Sequence, residues 1–474
     1  MSANRKTLVA LVACIATMNT AHAIDVLRAE QNISATAAGS FAPVCGLGAA
    51  PGRPLKLDEA VERTLCSNPK TREAWAAVKA QAAGVGAARA AYLPQISANW
   101  QGVRESSVID IENHPALSED INAFTRTAGV SLNWLLYDFG GREAALKNAN
   151  ALLDAARASQ DATLQAFFAQ AAKDYYAAQT AIGELQAAQD VEAMTRQSMQ
   201  AAQARTDKGV APVTDALQAQ TQHEQAVFSL TKAQSDAQTA LGALASDMNL
   251  APDVPLDVPA VTEGVRTDRT FSESVAEMIR DVQATHPLVR AVQAQYEAAV
   301  AKMSQTRAQG LPSISLVAKY SRNNQPQSMG LGLATYSSTG HDAYVGVQMS
   351  IPLFEGFGRH YQIDQARAQA EHQADAIDEA RQKVALDVWV SYQTLESATK
   401  NAQNSANLLA IASRSWEAAK HRYDAGVGSI LELMNTQAAL ANAKQRRVQS
   451  LAEWDNARID MASKLGTLGK KDLQ

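Results

Sequence analysis

The residues that could do chemistry in this chain are few and poorly placed for catalysis. Gly46-Leu47-Gly48 resembles part of a dinucleotide loop, but it precedes no strand-helix unit and lies beside Cys45. It reads as part of a flexible N-terminal extension. GxSxG, HExxH, a Walker loop and a Ser/His/Asp set are all missing, and each of these fixes a nucleophile, a metal or a phosphate by its spacing. The chain is therefore read as a non-enzyme without a cofactor. Its cysteines, Cys14, Cys45 and Cys66, lack the CxxC or Cys/His pattern of a metal site. Their chemistry is redox pairing, and that depends on the compartment.

The compartment is written at the start. Arg5 and Lys6 precede an apolar run from Leu8 to Met18 and the small-residue site Ala21-His22-Ala23, the layout of a secretory signal peptide cleaved after Ala23. The run is too short to span a bilayer. Cys14 leaves with the signal, and Cys45 and Cys66, exported to an oxidising compartment, are predicted to form a disulfide. Two free, partly buried thiols are the alternative. The chain carries 43 Lys and Arg against 48 Asp and Glu. A mildly acidic chain without a basic block has no footprint for nucleic acid.

The elements that position these residues follow from a duplication. Asn68-Pro69 opens a helical run ending in Leu93-Pro94, and His286-Pro287 opens one ending in Leu311-Pro312, an offset of 218 that also carries Arg72 to Arg290 and Arg89 to Arg307. At an offset of 217, Gly141-Arg142 recurs as Gly358-Arg359, Tyr175 as Tyr392, and Gly209-Val210 as Gly426-Val427. Two structural repeats follow. The predicted organisation is a signal peptide (1–23), an N-terminal extension (24–56), a first repeat (57–250: helix, two strands, long helix, short helix), a linker (251–270), a second repeat (271–468) and a C-terminal tail (469–474).

Each repeat holds two segments of roughly ten residues that alternate with period two, entered at Pro94 and Pro312. Ile96, Ala98 and Trp100 alternate with Ser97, Asn99 and Gln101, and Val130, Leu132 and Trp134 with Ser131 and Asn133. Ile314, Leu316, Ala318 and Tyr320 form a third such set, and Val345, Val347, Met349 and Ile351 a fourth. A soluble half-buried sheet would alternate in the same way. The aromatic residues Tyr92, Trp134, Tyr137, Phe354 and Phe357 at the strand ends favour strands that leave a bilayer there. Four strands cannot close a barrel, so the barrel is predicted to be shared between subunits. Proline is absent from 142–208 and from 359–425, and each stretch is predicted to be a helix of roughly 100 Å. Val384, Val388, Tyr392 and Leu395 recur at the three- and four-residue steps of a coiled-coil seam.

Several motifs in this order resemble the TolC family of outer-membrane factors over nearly the whole mature length. They are Leu57-Asp58-Glu59-Ala60 with Asn68-Pro69, Leu93-Pro94, Leu311-Pro312, Ile351-Pro352-Leu353-Phe354 with Gly358, and Arg422-Tyr423-Asp424-Ala425-Gly426. The C-terminal Leu465-Gly466-Thr467-Leu468-Gly469 is similar as well. The resemblance implies a mainly α protein with a transmembrane β-barrel. Three protomers would build a twelve-stranded barrel in outer-membrane lipid, continued by a twelve-helix periplasmic α-barrel. Its partners would be a periplasmic adaptor and an inner-membrane ABC transporter or proton-driven pump. The cargo would be a protein exported by type I secretion, such as an RTX toxin of the adenylate cyclase-haemolysin kind, or small molecules. The rival is a soluble periplasmic coiled-coil adaptor or scaffold, which would explain the helices and not the strands.

The resemblance also implies a gate at the helix reversals of Gly209 and Gly426, where glycine permits the turn. The matching gate positions are Thr214, Asp215 and Tyr423, and the family's basic partner falls on Gly428, with Arg205, Lys208 or Arg422 left as substitutes. Alternatively Thr214 and Asp215 cap the short helix after Pro212. A family ring of carboxylates maps onto Glu432, which keeps the acid, and Asn435, which does not. A solvated helix face is the other reading of Glu432.

Overall fold

The computed structural model describes residues 54–115, 118–260, 274–324, 338–466 and 468, with 25, 27–31 and 33 near the start. The signal segment, Cys45, the tail 469–474 and most of the N-terminal extension lie outside the described residues. In chain order the elements are α1 (Leu57–Ser67), α2 (Pro69–Ala90), β1 (Gln95–Ile109), β2 (Glu119–Tyr137), α3 (Gly141–Asp207) and α4 (Val213–Asp247). They are followed by α5 (Val275–Thr285), α6 (Pro287–Ala308), β3 (Ser313–Asn323), β4 (Gly340–Ser350), α7 (Gly358–Asp424) and α8 (Ile430–Lys464). Among the described residues the protein is mainly helical with one four-stranded antiparallel sheet. No helix among the described residues is long and apolar enough to cross a membrane.

The two long helices, α3 and α7, each have 67 residues, and α4 and α8 each have 35. The helix that opens the first repeat at Leu57 stops before Pro69, because Asn68 is extended at ψ 130°. His286 before Pro287 does the same at ψ 134°. Proline disfavours helical geometry at the preceding residue while suiting the first position of the next helix. At each break a side chain accepts the exposed backbone N–H two residues on. Lys70 N donates to Asn68 Oδ1 at 3.0 Å, and Leu288 N donates to His286 Nδ1 at 3.1 Å.

The chain divides into two compact units. The first holds the sheet with residues 79–153 and 294–374. Its strands lie in the order β1-β2-β3-β4, and the register carries single ladders across all four. Ile96, Leu132, Ala318 and Val345 form one ladder, and Ala98, Val130, Tyr320 and Ala343 the next on the same face. Between them, on the other face, Ser97, Ser131, Lys319 and Tyr344 are in line, with Ser97 Oγ and Ser131 Oγ hydrogen-bonded at 2.8 Å. β1 and β2, of 15 and 19 residues, run beyond the ten predicted. Their outer parts stay paired from Gly102↔Arg126 to Ile109↔Glu119. Arg142 ties β2 to the start of α3: its guanidinium donates to Leu135 O at 2.6 Å and Leu136 O at 3.0 Å and lies over the Tyr92 ring. Arg359, 217 positions on, donates to Gln309 Oε1 at 3.0 Å and pairs with Glu355.

The second unit holds 34–78, 154–293 and 375–474. Its core lies between helices, as the heptad-like spacing requires. Val384, Val388, Trp454 and Met461 pack with Met278, Val282 and Val289, and Val61 and Leu65 pack with Leu164 and Phe168. A third cluster joins Tyr175, Leu244 and Met248 to Leu55, and the Tyr175 hydroxyl donates to Leu55 O at 2.8 Å.

Candidate gate of an export channel

Both helix reversals lie in the second unit and are built alike. Gly209 and Gly426 adopt φ of +72° and +75°, the left-handed conformation that ends a helix and that glycine takes without a Cβ penalty. Behind each glycine the chain closes on the helix it leaves. Gly209 N donates to Thr206 O at 2.9 Å and Val210 N to Arg205 O at 3.0 Å, while Gly426 N donates to Tyr423 O and Val427 N to Arg422 O, both at 3.0 Å.

The short helices begin differently. Ser429 caps α8 by accepting from Glu432 N at 3.1 Å, whereas α4 follows Pro212 with no side-chain cap. Thr214 is exposed, and Asp215 lies in the first turn of α4, where a negative charge suits the helix dipole. No side-chain capping bond forms at either residue, so the structure lends no support to the alternative that they cap α4.

Tyr423 is the buried centre of the candidate gate residues. It is 3% exposed and packs with Ala202, Ala219, Ile430 and Leu433. Burial pushes its hydroxyl pKa up, Arg205 pulls it down, and Asp215 and Asp424 push it up further. Its oxygen is buried without a hydrogen-bond partner in the single chain, a group that costs stability unless it is satisfied.

Of the three candidate basic substitutes, Arg205 engages Tyr423. Its Nη2 donates to Tyr423 O at 2.5 Å and to Asp424 O at 3.3 Å, and the guanidinium lies 4.1 Å from the Tyr423 ring centre. Arg422 pairs with Glu432 at 3.4 Å. Lys208 is exposed. Gly428 has a physical reason to lack a side chain: a Cβ there would lie 2.8 Å from Tyr423 N and 2.9 Å from the Arg422 carbonyl carbon. Glu432 is half-buried, and Asn435, on the next turn, is exposed.

Three other groups carry no sequence signal. Burial, and after it the facing Asp174 carboxyl, pushes Asp247 up to about 7. Burial also pushes Asp455 up to about 6. Glu192 is buried between Arg196 at 2.7 Å and His223 at 3.7 Å. Each pairs residues far apart in sequence or depends on burial, and neither feature leaves a motif. Cys66 is disulfide-bonded, and Cys45, its predicted partner, lies outside the described residues. Among the described residues no group of three His, Cys, Asp or Glu could hold a metal.

A mainly helical chain with a small antiparallel sheet, apolar on one face, and two matched helix reversals defines the class of outer-membrane channels that extend into the periplasm. The sequence model of the outer membrane efflux protein family matches it twice, at residues 60–249 and 278–467, and the chain belongs to that family. It is 31% identical to protein CyaE of Bordetella pertussis over 88% of this chain and 85% of that protein. It is 22% identical to outer membrane protein TolC of Escherichia coli over 88% of this chain and 83% of that protein. The crystal structure of VceC from Vibrio cholerae shares the fold, with a TM-score of 0.72 at 18% identity over 86% of this chain and 96% of that one. The chain is an outer-membrane protein and not an enzyme. The reading as a soluble adaptor falls with that.

Proposed function

We propose that three copies of this chain form one export duct, with the turns at Gly209 and Gly426 as its gate. The observation that carries the reading is the sheet. Among the described residues β1 and β4 each have one strand neighbour, and the apolar ladders stand exposed, Ile96 by 69% and Val345 by 76%. Open edges are not stable in lipid and an exposed apolar face is not stable in water; closure with further copies pairs the edges, and lipid then covers the face. Three copies give the twelve strands of a small barrel. The duplication supports the same assembly, because matching elements of equal length let six helical hairpins surround one axis.

In this reading the duct works with an inner-membrane transporter and a periplasmic adaptor. The cargo is an exported protein in the manner of type I secretion, the RTX class being the first to test; the similarity to CyaE supports this over small-molecule efflux. Thr214, Asp215, Tyr423, Glu432 and Asn435 line the gate. The test is reconstitution of the detergent-purified protein into planar bilayers, with its mass measured in parallel. A trimer with small discrete conductance steps is expected. A monomer that inserts no pores would reject the duct.

A further inference from the structure

This step rests on the reading of the sheet as one third of a barrel whose apolar ladders face lipid. β1 and β3 arise from helices at Gln95 and Ser313, and β2 and β4 return to helices at Tyr137 and Ser350. The helices extend into the periplasm, so the opposite end of the sheet, marked by Ile109, Glu119, Asn323 and Gly340, points out of the cell. Followed outward along β2, the lipid face runs Trp134, Leu132, Val130 and Ala128 and then reaches Arg126. The height at which it turns cationic is that of a membrane. Asn324 N donates to Arg126 O at 3.2 Å, and the ten steps from Ile314, opposite Tyr137, to Asn324 climb about 26 Å at about 3.4 Å each and a tilt of about 40°. The apolar band of a barrel is about 25 Å tall.

Three arginines meet at that level. Arg322 pairs with Ala128, Arg126 with Gly102 and Arg104 with Phe124, so each is the diagonal neighbour of the next across β3, β2 and β1, roughly 7–8 Å apart at the backbone. His341 stands directly opposite Arg322. All three arginines are exposed, and among the described residues none of them makes an ion pair. Glu105 and Asp342 pair with Ala123 and Ser321 and belong to the other face. The one acid in these ladders, Asp120, lies four residues beyond Phe124. An aromatic floor carries the charges. The Arg126 guanidinium lies 5.0 Å from the Phe124 ring centre. Gly102 lets two rings close over it, since a Cβ there would lie 3.2 Å from Phe124 Cζ and 3.3 Å from Trp100 Cη2.

Rings with cationic tips suit the headgroup level of a bilayer, but like charges so spaced repel one another and call for an anion. A guanidinium fork matches phosphate with two bonds, and the glycolipid of an outer leaflet carries phosphate. We propose that Arg104, Arg126 and Arg322 form a site on the outside of the barrel for a phosphorylated glycolipid of the outer leaflet, with its phosphates on the guanidiniums and its acyl chains along the apolar ladders below. The site holds the duct at a set depth in an asymmetric membrane.

The test measures binding of bisphosphorylated lipid A to the detergent-purified trimer by native mass spectrometry. The triple variant Arg104→Gln, Arg126→Gln, Arg322→Gln is expected to lose at least tenfold in affinity, and the matching triple change to Lys, which keeps the charge without the fork, to fall between. Dephosphorylated lipid A should bind the parent no better than lipid A binds the Gln variant, and millimolar inorganic phosphate should not displace lipid A. Lys319→Gln, on the other face, should leave binding unchanged. Trimer yield and pore formation report folding and should stay near those of the parent. Equal lipid A affinity of the parent and the Gln variant, in trimers that form pores, would overturn the site and leave the duct standing, as would equal binding of dephosphorylated lipid A to the parent. A parent that forms neither trimer nor pore would reject the barrel, and this site with it.

Discussion

Arg422 Nε stands 3.4 Å from Glu432 Oε1 across the turn between α7 and α8. The acid proposed to line the gate thus carries its own counter-ion. Arg422 is exposed and Glu432 half-buried, open enough to solvent that the pair contributes about 0–1 kcal/mol to stability. Its consequence is electrostatic. Arg422→Ala is expected to uncover Glu432 and strengthen cation preference, and Glu432→Ala to weaken it, as reversal potentials across a salt gradient would show. Thermal midpoints should barely move. Shifts of the same sign in both variants would remove Glu432 from the ion path.

The disulfide at Cys66 is predicted to close on Cys45, a loop of about 22 residues, and by chain entropy to add about 3 kcal/mol at most. Thiol titration of unfolded, unreduced protein should find no free thiol. Cys66→Ser and Cys45→Ser should lower the thermal midpoint equally. A full thiol in the unreduced protein would contradict the pairing.

Asp247 makes stability fall as pH rises from about 4 to about 7. Its carboxyl is pushed up to about 7, mainly by burial and then by Asp174. A group whose folded pKa is raised stabilises fully below its unfolded value near 4, and that contribution is lost as pH rises through about 7. Asp247→Asn is therefore expected to gain in thermal midpoint relative to the parent as pH goes from 5 to 8. A constant difference across that range would mean that the two carboxyls do not share a proton.

His286 has the opposite sign. Burial, with Lys464 behind it, lowers its pKa while Asp387 raises it, and Nδ1 accepts from Leu288 N, which a protonated ring cannot do. Stability is present above the unfolded pKa near 6.5 and is lost as pH falls through the lower folded value. Asn68 performs the same task in the first half with an amide oxygen, and an amide oxygen does not titrate. His286→Asn should keep the bond, worth about 1 kcal/mol, and flatten the acid limb between pH 7 and 5. An unchanged acid limb would place its origin elsewhere.

The sequence by itself determined where the two long helices begin and end. Gly141, Gly209, Gly358 and Gly426 bracket proline-free stretches, and the structure ends its 67-residue helices within a residue or two of them. The alternation around Ile96, Val130, Ile314 and Val345 assigned each side chain to a face, because pleating has a period of two whatever the partner strand. What had no such period was missed. Residues 102–109 have no clean alternation, yet they extend β1, since an antiparallel ladder is made by backbone groups that every residue carries.

The same reason explains the gate. Gly209, Gly426 and Tyr423 were visible as positions, and Arg205 and Arg422 as available charges. Which charge met which acceptor was decided only when α3, α7 and α8 packed together. Arg422 found a carboxylate, which a sequence displays. Arg205 found the carbonyls of Tyr423 and Asp424, and a carbonyl oxygen, present at every residue, is marked as an acceptor only by the helix end that leaves it unpaired and the packing that brings a guanidinium to it.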